Sequence, residues 1–241
     1  MYTWLIQIGS CLNHYFKSFL HLLYPHICLQ CGTDQLQEKQ IICARCETAL
    51  PFTAFGKMQN SPVEKIFWGR TPVQHVISIL FFTKESLVQQ IMMELKYHHN
   101  KRAGWLMGKL IAMELMQQAY CQEIDYIIPI PISKQKEKQR GYNQSAIIGQ
   151  AIIDHGIPAQ LYSCLVTRQH GPSQTQKNRL QRNRTQLEKF KLKDATVIKG
   201  KNIIIIDDVL TTGATLEAAC ECLLQAEPAS IRLATAAYTI E

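Results

Sequence analysis

Two sets of residues in this 241-residue chain carry chemistry in their types and spacing. The first is the stretch IIIIDDVLTTGAT, Ile203 to Thr215, where two adjacent carboxylates, Asp207 and Asp208, follow four isoleucines and precede hydroxyls and a glycine. Ionised carboxylates only accept hydrogen bonds, so a pair of them suits a ligand with two O–H donors, such as the vicinal hydroxyls of a ribose. Thr211, Thr212, Gly213, Ala214 and Thr215 are small. Gly213 permits positive φ and close backbone approach, and the free N–H groups of a following helix start make an anion site suited to a phosphate. Carboxylates beside a phosphate cradle would repel the phosphate unless the two serve different parts of one ligand. A ribose bearing a 5-phosphate spans both. The alternative is an acidic turn followed by an N-cap, which leaves two adjacent carboxylates unexplained.

The second set is Cys28-x2-Cys31 and, eleven residues on, Cys43-x2-Cys46. Two such knuckles supply four thiolates to one tetrahedral zinc, and Gly32 allows the tight turn after Cys31. A segment this short cannot hold itself together by apolar burial, so a structural zinc would supply its folding energy. The rival is a redox CxxC, which usually occurs once, on a βαβ unit. Cys11, Cys121, Cys164, Cys220 and Cys222 read as small buried hydrophobes. Nine cysteines without a secretion signal argue against a disulfide framework and for a reducing compartment.

The elements that must position the first set follow from periodicity. Four β-branched residues in a row suit a strand buried on both faces, so Lys201–Val209 reads as an interior strand whose carboxyl end carries the aspartates. Ligands of open α/β sheets bind at that edge. Leu216–Gln225 has helical spacing. Val73–Phe82, Tyr126–Ile132, Leu161–Thr167 and Ser230–Tyr238 read as further strands. The second of these ends at Pro129 and Pro131, which cannot donate to a ladder. Ser86–His98 (with Ser86 as N-cap), Ala103–Tyr120 and Asn143–His155 read as helices. This order predicts an α/β fold, a parallel sheet with helices on both faces. A small N-terminal zinc-ribbon-like module precedes it. The predicted organisation is an amphipathic helix over 1–24, the four-cysteine module over 25–60 and the α/β domain over 61–241, with Pro51, Gly56 and Pro62 marking the linker.

Hydrophobic residues make up 46% of the chain and the net charge is +7, so a packed globular protein is predicted. The charge is concentrated: Ser133–Lys191 holds eleven Lys/Arg against three acids, leaving the remainder at about −1. A local excess of that size points to an anionic partner, a diphosphate or a nucleic acid, against a solvated basic loop. No 18-residue apolar span is present, so no membrane helix is predicted. Residues 4–23 are apolar but interrupted by Asn13, His14, Lys17 and His21, with no basic n-region or cleavage site. They read as an amphipathic helix packing on the body, with a peripheral membrane or partner contact as the alternative.

The stretch IIIIDDVLTTGAT resembles the phosphoribosyl-diphosphate (PRPP) motif of type I phosphoribosyltransferases. With DYIIPIPISKQKEKQRGYNQS (125–145) and the CLQCG…CARC segment (28–46), the chain resembles the competence protein F (ComF) family over roughly residues 20 to 240. The resemblance implies a type I phosphoribosyltransferase-like fold and phosphoribosyltransferase activity. PRPP would be bound with Mg²⁺, its ribose hydroxyls and magnesium on Asp207 and Asp208, its 5-phosphate on Thr211–Thr215. The loop 133–145 would form the diphosphate side, with Lys134, Arg140, Gly141, Asn143 and Gln144. Lys96 also matches the family pattern, beside its reading as a helix C-terminal lysine stabilised by the dipole. In type I enzymes a flexible loop closes over the site at the place of residues 168–187. This chain departs from the pattern there at Thr185, so no catalytic residue is assigned. The resemblance further implies a cytoplasmic role in DNA uptake and natural transformation at the inner face of the membrane, alongside other competence or DNA-processing proteins. The acceptor is not legible. The alternative is a protein that binds PRPP, nucleotide or single-stranded DNA without turnover, the basic strip tracking phosphates and Tyr142 stacking on a base.

Overall fold

The most apolar run of the chain forms the interior of a parallel sheet, and its four isoleucines are fully buried. The computed structural model describes residues 26–37, 39–168 and 189–240. The helix expected over 1–24 and the polar stretch from residue 169 to 187 lie outside these. Of the described residues, those up to Ala49 form one compact unit and those from Leu50 a second.

In the second unit the strands are β1 (His75–Phe82), β2 (Tyr126–Pro129), β3 (Gln160–Leu161), β4 (Leu165–Thr167), β5 (Phe190–Leu192), β6 (Asn202–Leu210) and β7 (Ser230–Thr239). The main sheet runs in the order β1-β7-β6-β2-β3 and every pairing in it is parallel. The connections carry α1 (Leu87–Tyr97), α2 (Lys101–Leu115), α3 (Lys134–Arg140), α4 (Gln144–Asp154) and α5 (Ala214–Leu224). Ile203 and Ile205 of β6 share one apolar cluster with Leu216, Ala219 and Leu223 of α5. On the opposite face α4 approaches β2 so closely that a Cβ on Gly149 would meet Ile127 Cγ2 at 3.1 Å. Segment 51–53 covers the free edge of β1, Thr53 N–H donating to Ile79 O (2.9 Å) and Phe81 N–H to Pro51 O (2.8 Å). No helix among the described residues is long and apolar enough to cross a membrane.

Three expectations need correction. The stretch after β2 is largely helix rather than loop: α3 spans Lys134–Arg140. Its residues are good helix formers, the Ser133 hydroxyl accepts from Lys136 N–H (3.3 Å), and Gly141 closes it at φ +75°. No α3 side chain is buried, so the apolar period that betrays a helix is missing. The strand expected over Leu161–Thr167 divides. It leaves the main sheet after Leu161, and Leu165–Thr167 pairs antiparallel with β5 as a separate two-stranded ribbon. Tyr142 is buried, its hydroxyl donating to Leu95 O (2.7 Å), so it offers no face for stacking on a base.

Candidate functional site

The paired acids are carried to the carboxyl edge of the sheet by β6 and fixed there by its neighbour. Pro129 ends β2, and Ile130 N–H still donates to Ile206 O (2.9 Å). The Asn143 amide then joins that strand end to α4: its Nδ2 donates to Ile130 O (2.9 Å) and its Oδ1 accepts from Ser145 N–H (3.0 Å). Ser145 is thereby held where its hydroxyl donates to Asp207 Oδ1 (3.1 Å), which also accepts from Asp208 N–H (2.9 Å). From the far side of the cleft Lys96, in the last turn of α1, places its ammonium 2.7 Å from Asp208 Oδ2. Burial is the largest influence on Asp207 and the Asp208 charge the next. Against the Asp208 N–H, Ser145 and Lys96, they push its carboxyl up to about 7.

These groups line a cleft of about 400 Å³. Of the residues singled out from the sequence, Lys96, Arg140, Gln144, Asp207, Asp208 and Thr215 surround it. Thr211, Thr212, Gly213 and Ala214 line an adjoining hollow of about 40 Å³ together with Asp207 and Thr215. Lys134, Gly141 and Asn143 are not in either wall. Lys134 is exposed at the start of α3, Gly141 terminates that helix through its N–H to Glu137 O (2.7 Å), and Asn143 is the cap just described.

Gln144 is almost wholly buried, and its amide orientation is set by Arg140, whose Nη1 donates to Gln144 Oε1 (2.9 Å). A guanidinium can only donate, so Nε2 points elsewhere, and it has no hydrogen-bond partner in the protein. Around Gln144 the cleft wall carries the cations of Lys96, Lys136, Arg140, Arg168 and Lys189.

Sequence reasoning missed Ser145, Arg168 and Lys189. Lys189 begins the β5 arm, whose mate Arg168 donates its N–H to Lys189 O (2.9 Å). Its ammonium donates to Thr215 Oγ1 (3.0 Å). Burial lowers its proton affinity, with Asp207 acting in the opposite direction and Lys136 adding to the lowering. No motif spacing links residues 145, 189 and 215; only the sheet topology brings them together.

In the first unit Cys28, Cys31, Cys43 and Cys46 place their four sulfurs within 4.8 Å of one another. Cys31 and Cys43 Sγ are 3.7 Å apart, near the edge of about 3.8 Å of a tetrahedron with zinc–sulfur bonds of about 2.3 Å. Gly32, at φ +71°, donates its N–H to Cys28 O (3.0 Å) and turns the first knuckle. Burial raises the Cys28 thiol, but the N–H groups of Cys31, Cys43 and Gln30 outweigh it and leave it lowered to about 6. Burial and the neighbouring thiols push Cys46 up to about 12. The donor set and its spacing fit a closed zinc site.

Comparison with known proteins bears on both units. The phosphoribosyl transferase domain family model matches residues 159–241. Competence protein ComFC of Bacillus subtilis is 34% identical over 105 residues, which cover 41% of this chain and only 38% of that protein. DNA utilization protein YhgH of Escherichia coli K12 is 23% identical over 239 residues, covering 95% of this chain and 93% of the relative. Among solved structures, the B. subtilis glutamine PRPP amidotransferase complexed with ADP and GMP superposes on 60% of this chain and 30% of its own. The TM-score is 0.43 and the identity 16%.

Proposed function

We propose that the chain is a ComF-like protein with a phosphoribosyltransferase-type domain, whose cleft binds PRPP together with Mg²⁺ and transfers the phosphoribosyl group. The observation that carries this reading is the pair Asp207–Asp208 at the carboxyl end of β6, set between a hollow lined by residues 209–216 and a wall of cations. A ribose with its hydroxyls on the aspartates directs its 5-phosphate to the Thr211–Thr215 hollow, where N–H groups at the start of α5 and threonine hydroxyls donate. Its diphosphate faces Lys136, Arg140 and Arg168. The oxygen-only donors of Asp207 and Asp208 suit a hard cation that keeps most of its ligands from water and substrate. Bound Mg²⁺ would neutralise charge developing on the leaving diphosphate. The protein's share of the catalysis is positioning and electrostatic: fixed donors hold the departing oxygens while the aspartates orient the sugar.

We further read the four cysteines as a structural zinc site with no open position for chemistry. The names of the relatives support a role in DNA uptake or utilisation. One observation favours a second reading, binding of single strands without turnover: α3 presents Lys134, Lys136 and Lys138 on a helix with no buried side chain. The two are separated by calorimetric titration of PRPP with Mg²⁺ and assay of diphosphate release across a panel of amine and nucleobase acceptors. Binding with acceptor-dependent release supports transfer. Binding without release, alongside salt-sensitive affinity for single strands, supports the second reading. No PRPP binding overturns the first.

A further inference from the structure

The helix that opens on the hollow also carries an acid in its first turn. Glu217 of α5 donates its N–H to Gly213 O (2.9 Å). An acid there stabilises the helix through its dipole, yet its charge opposes any anion using the same helix start. The chain supplies a counter-ion from 147 residues away. Arg70 Nε donates to Glu217 Oε1 (3.1 Å) and Nη2 to Oε2, a bidentate grip, while Nη1 donates to Ile66 O (3.2 Å). Arg70 follows a single helical turn, Pro62–Lys65, opened by a capping box between Ser61 and Glu64. The same segment meets the loop a second time: a Cβ on Gly213 would lie 2.7 Å from Ile66 Cγ2 and 3.1 Å from the Phe67 ring. Segment 61–70 thus contacts the turn before α5 through apolar side chains and its first helical turn through an ion pair. Glu217 lines neither the cleft nor the hollow.

We propose that Arg70 is a positioning residue of the anion subsite. By neutralising Glu217 and turning it away from the hollow, it leaves the positive potential of the α5 N-terminus available to the 5-phosphate. The inference rests on the reading of that hollow as a phosphate subsite. Arg70 lies outside the stretch 159–241 that matches the phosphoribosyl transferase family.

Neutralisation and simple clamping predict different signs. If the ion pair only fastens two segments, breaking it from either side weakens the site. If it removes a harmful charge, losing the arginine and losing the glutamate act in opposite directions. The test is calorimetric titration of the full chain with ribose 5-phosphate at low ionic strength, for wild type, Arg70→Gln, Glu217→Gln, the double variant and Arg70→Lys, with thermal melts alongside. Arg70→Gln is expected to weaken binding about two- to fivefold. Glu217→Gln should bind at least as tightly as wild type, the double variant should return to within about twofold of it, and Arg70→Lys should follow it. In 0.5 M salt the differences should shrink, because a partly exposed pair is screened. Equal weakening by Arg70→Gln and Glu217→Gln would overturn the inference while leaving the phosphate subsite standing. If wild type binds neither ribose 5-phosphate nor PRPP, the reading of the cleft falls and this inference with it.

Discussion

The Lys96 ammonium lies 2.7 Å from Asp208 Oδ2 and so ties the last turn of α1 to the carboxyl end of β6. A lysine at a helix C-terminus is favoured by the dipole alone, but here it also closes one side of the cleft. Asp207, the neighbouring acid, is held from the other side by Ser145. The two carboxylates therefore have different partners on different elements, although they are adjacent in sequence.

That separation predicts a coupled response. Asp208→Asn should weaken PRPP binding in the presence of Mg²⁺ at least tenfold, since charge-assisted hydrogen bonds are worth roughly 1.5–3 kcal/mol each and about 1.4 kcal/mol is tenfold in affinity. Lys96→Met should also weaken it. The double variant should lose less than the product of the two, because contacting residues couple. Calorimetric titration of all three variants reads this out. Strictly multiplicative losses would mean that the ion pair is irrelevant to the ligand.

Asp207 gives the pH dependence its sign. Burial first, and then the charge of Asp208, raise its carboxyl to about 7, against about 3.9 in an unfolded chain. Between about pH 4 and 7 the native state keeps a proton that the unfolded state has released, so this group's contribution to stability falls as pH rises through that window. Melts of the ligand-free protein at pH 5, 6, 7 and 8 should show the decline, and Asp207→Asn should flatten it. Because a cation competes with that proton, added Mg²⁺ should bind more tightly at pH 8 than at pH 6. Identical melting profiles for wild type and Asp207→Asn would refute the assignment.

The cysteine cluster predicts a metal content. Protein purified without chelator should carry about one zinc per chain, measured by atomic emission. Cys43→Ser should lose it and increase proteolytic cutting between residues 26 and 49, since a segment of this size depends on its metal for folding. Cys164→Ser should keep the zinc, because that thiol is buried in the apolar cluster of the second unit. A disulfide among the four cysteines under reducing purification would remove the zinc reading.

Local signals made the sheet legible in advance. Ile203–Ile206 announce an interior strand because no half-exposed strand tolerates such a run, and Ser86 announces a helix start that the structure places there, its hydroxyl accepting from Gln89 N–H (3.2 Å). What stayed hidden lacked a local signal. Helix α3 has no apolar period. The division of the strand at Tyr162 depends on Tyr162 N–H reaching Ile127 O (2.9 Å) before the chain turns off to meet β5. Ser145, Lys189 and Arg70 act on residues 62, 26 and 147 positions away, distances over which one sequence carries no pairing information. The carboxylates and the small loop could be read because adjacency itself was the anomaly; their partners could not.

Gly213 shows the same division between a correct position and a reason that only packing supplies. Its sequence context points to a backbone that must let a phosphate come close. In the structure it sits at φ +81°, where any side chain is strained, and a Cβ would project to within 2.7 Å of Ile66 and 3.1 Å of the Phe67 ring rather than into open space. Both costs fall on the folded state: about 1 kcal/mol for the left-handed conformation and about 1–3 kcal/mol for overpacking a core in which Phe67 is fully buried. Gly213→Val should therefore lower the melting temperature by on the order of 5–15 °C. Its loss of ribose 5-phosphate affinity should be partly recovered when Ile66 is trimmed to Ala, which opens the space the new side chain needs. Gly213→Ala should show the same pattern at smaller amplitude. Thermal melts and titrations of Gly213→Val with and without Ile66→Ala decide the matter. A variant that melts like wild type but no longer binds would restore direct phosphate approach as the reason for the glycine.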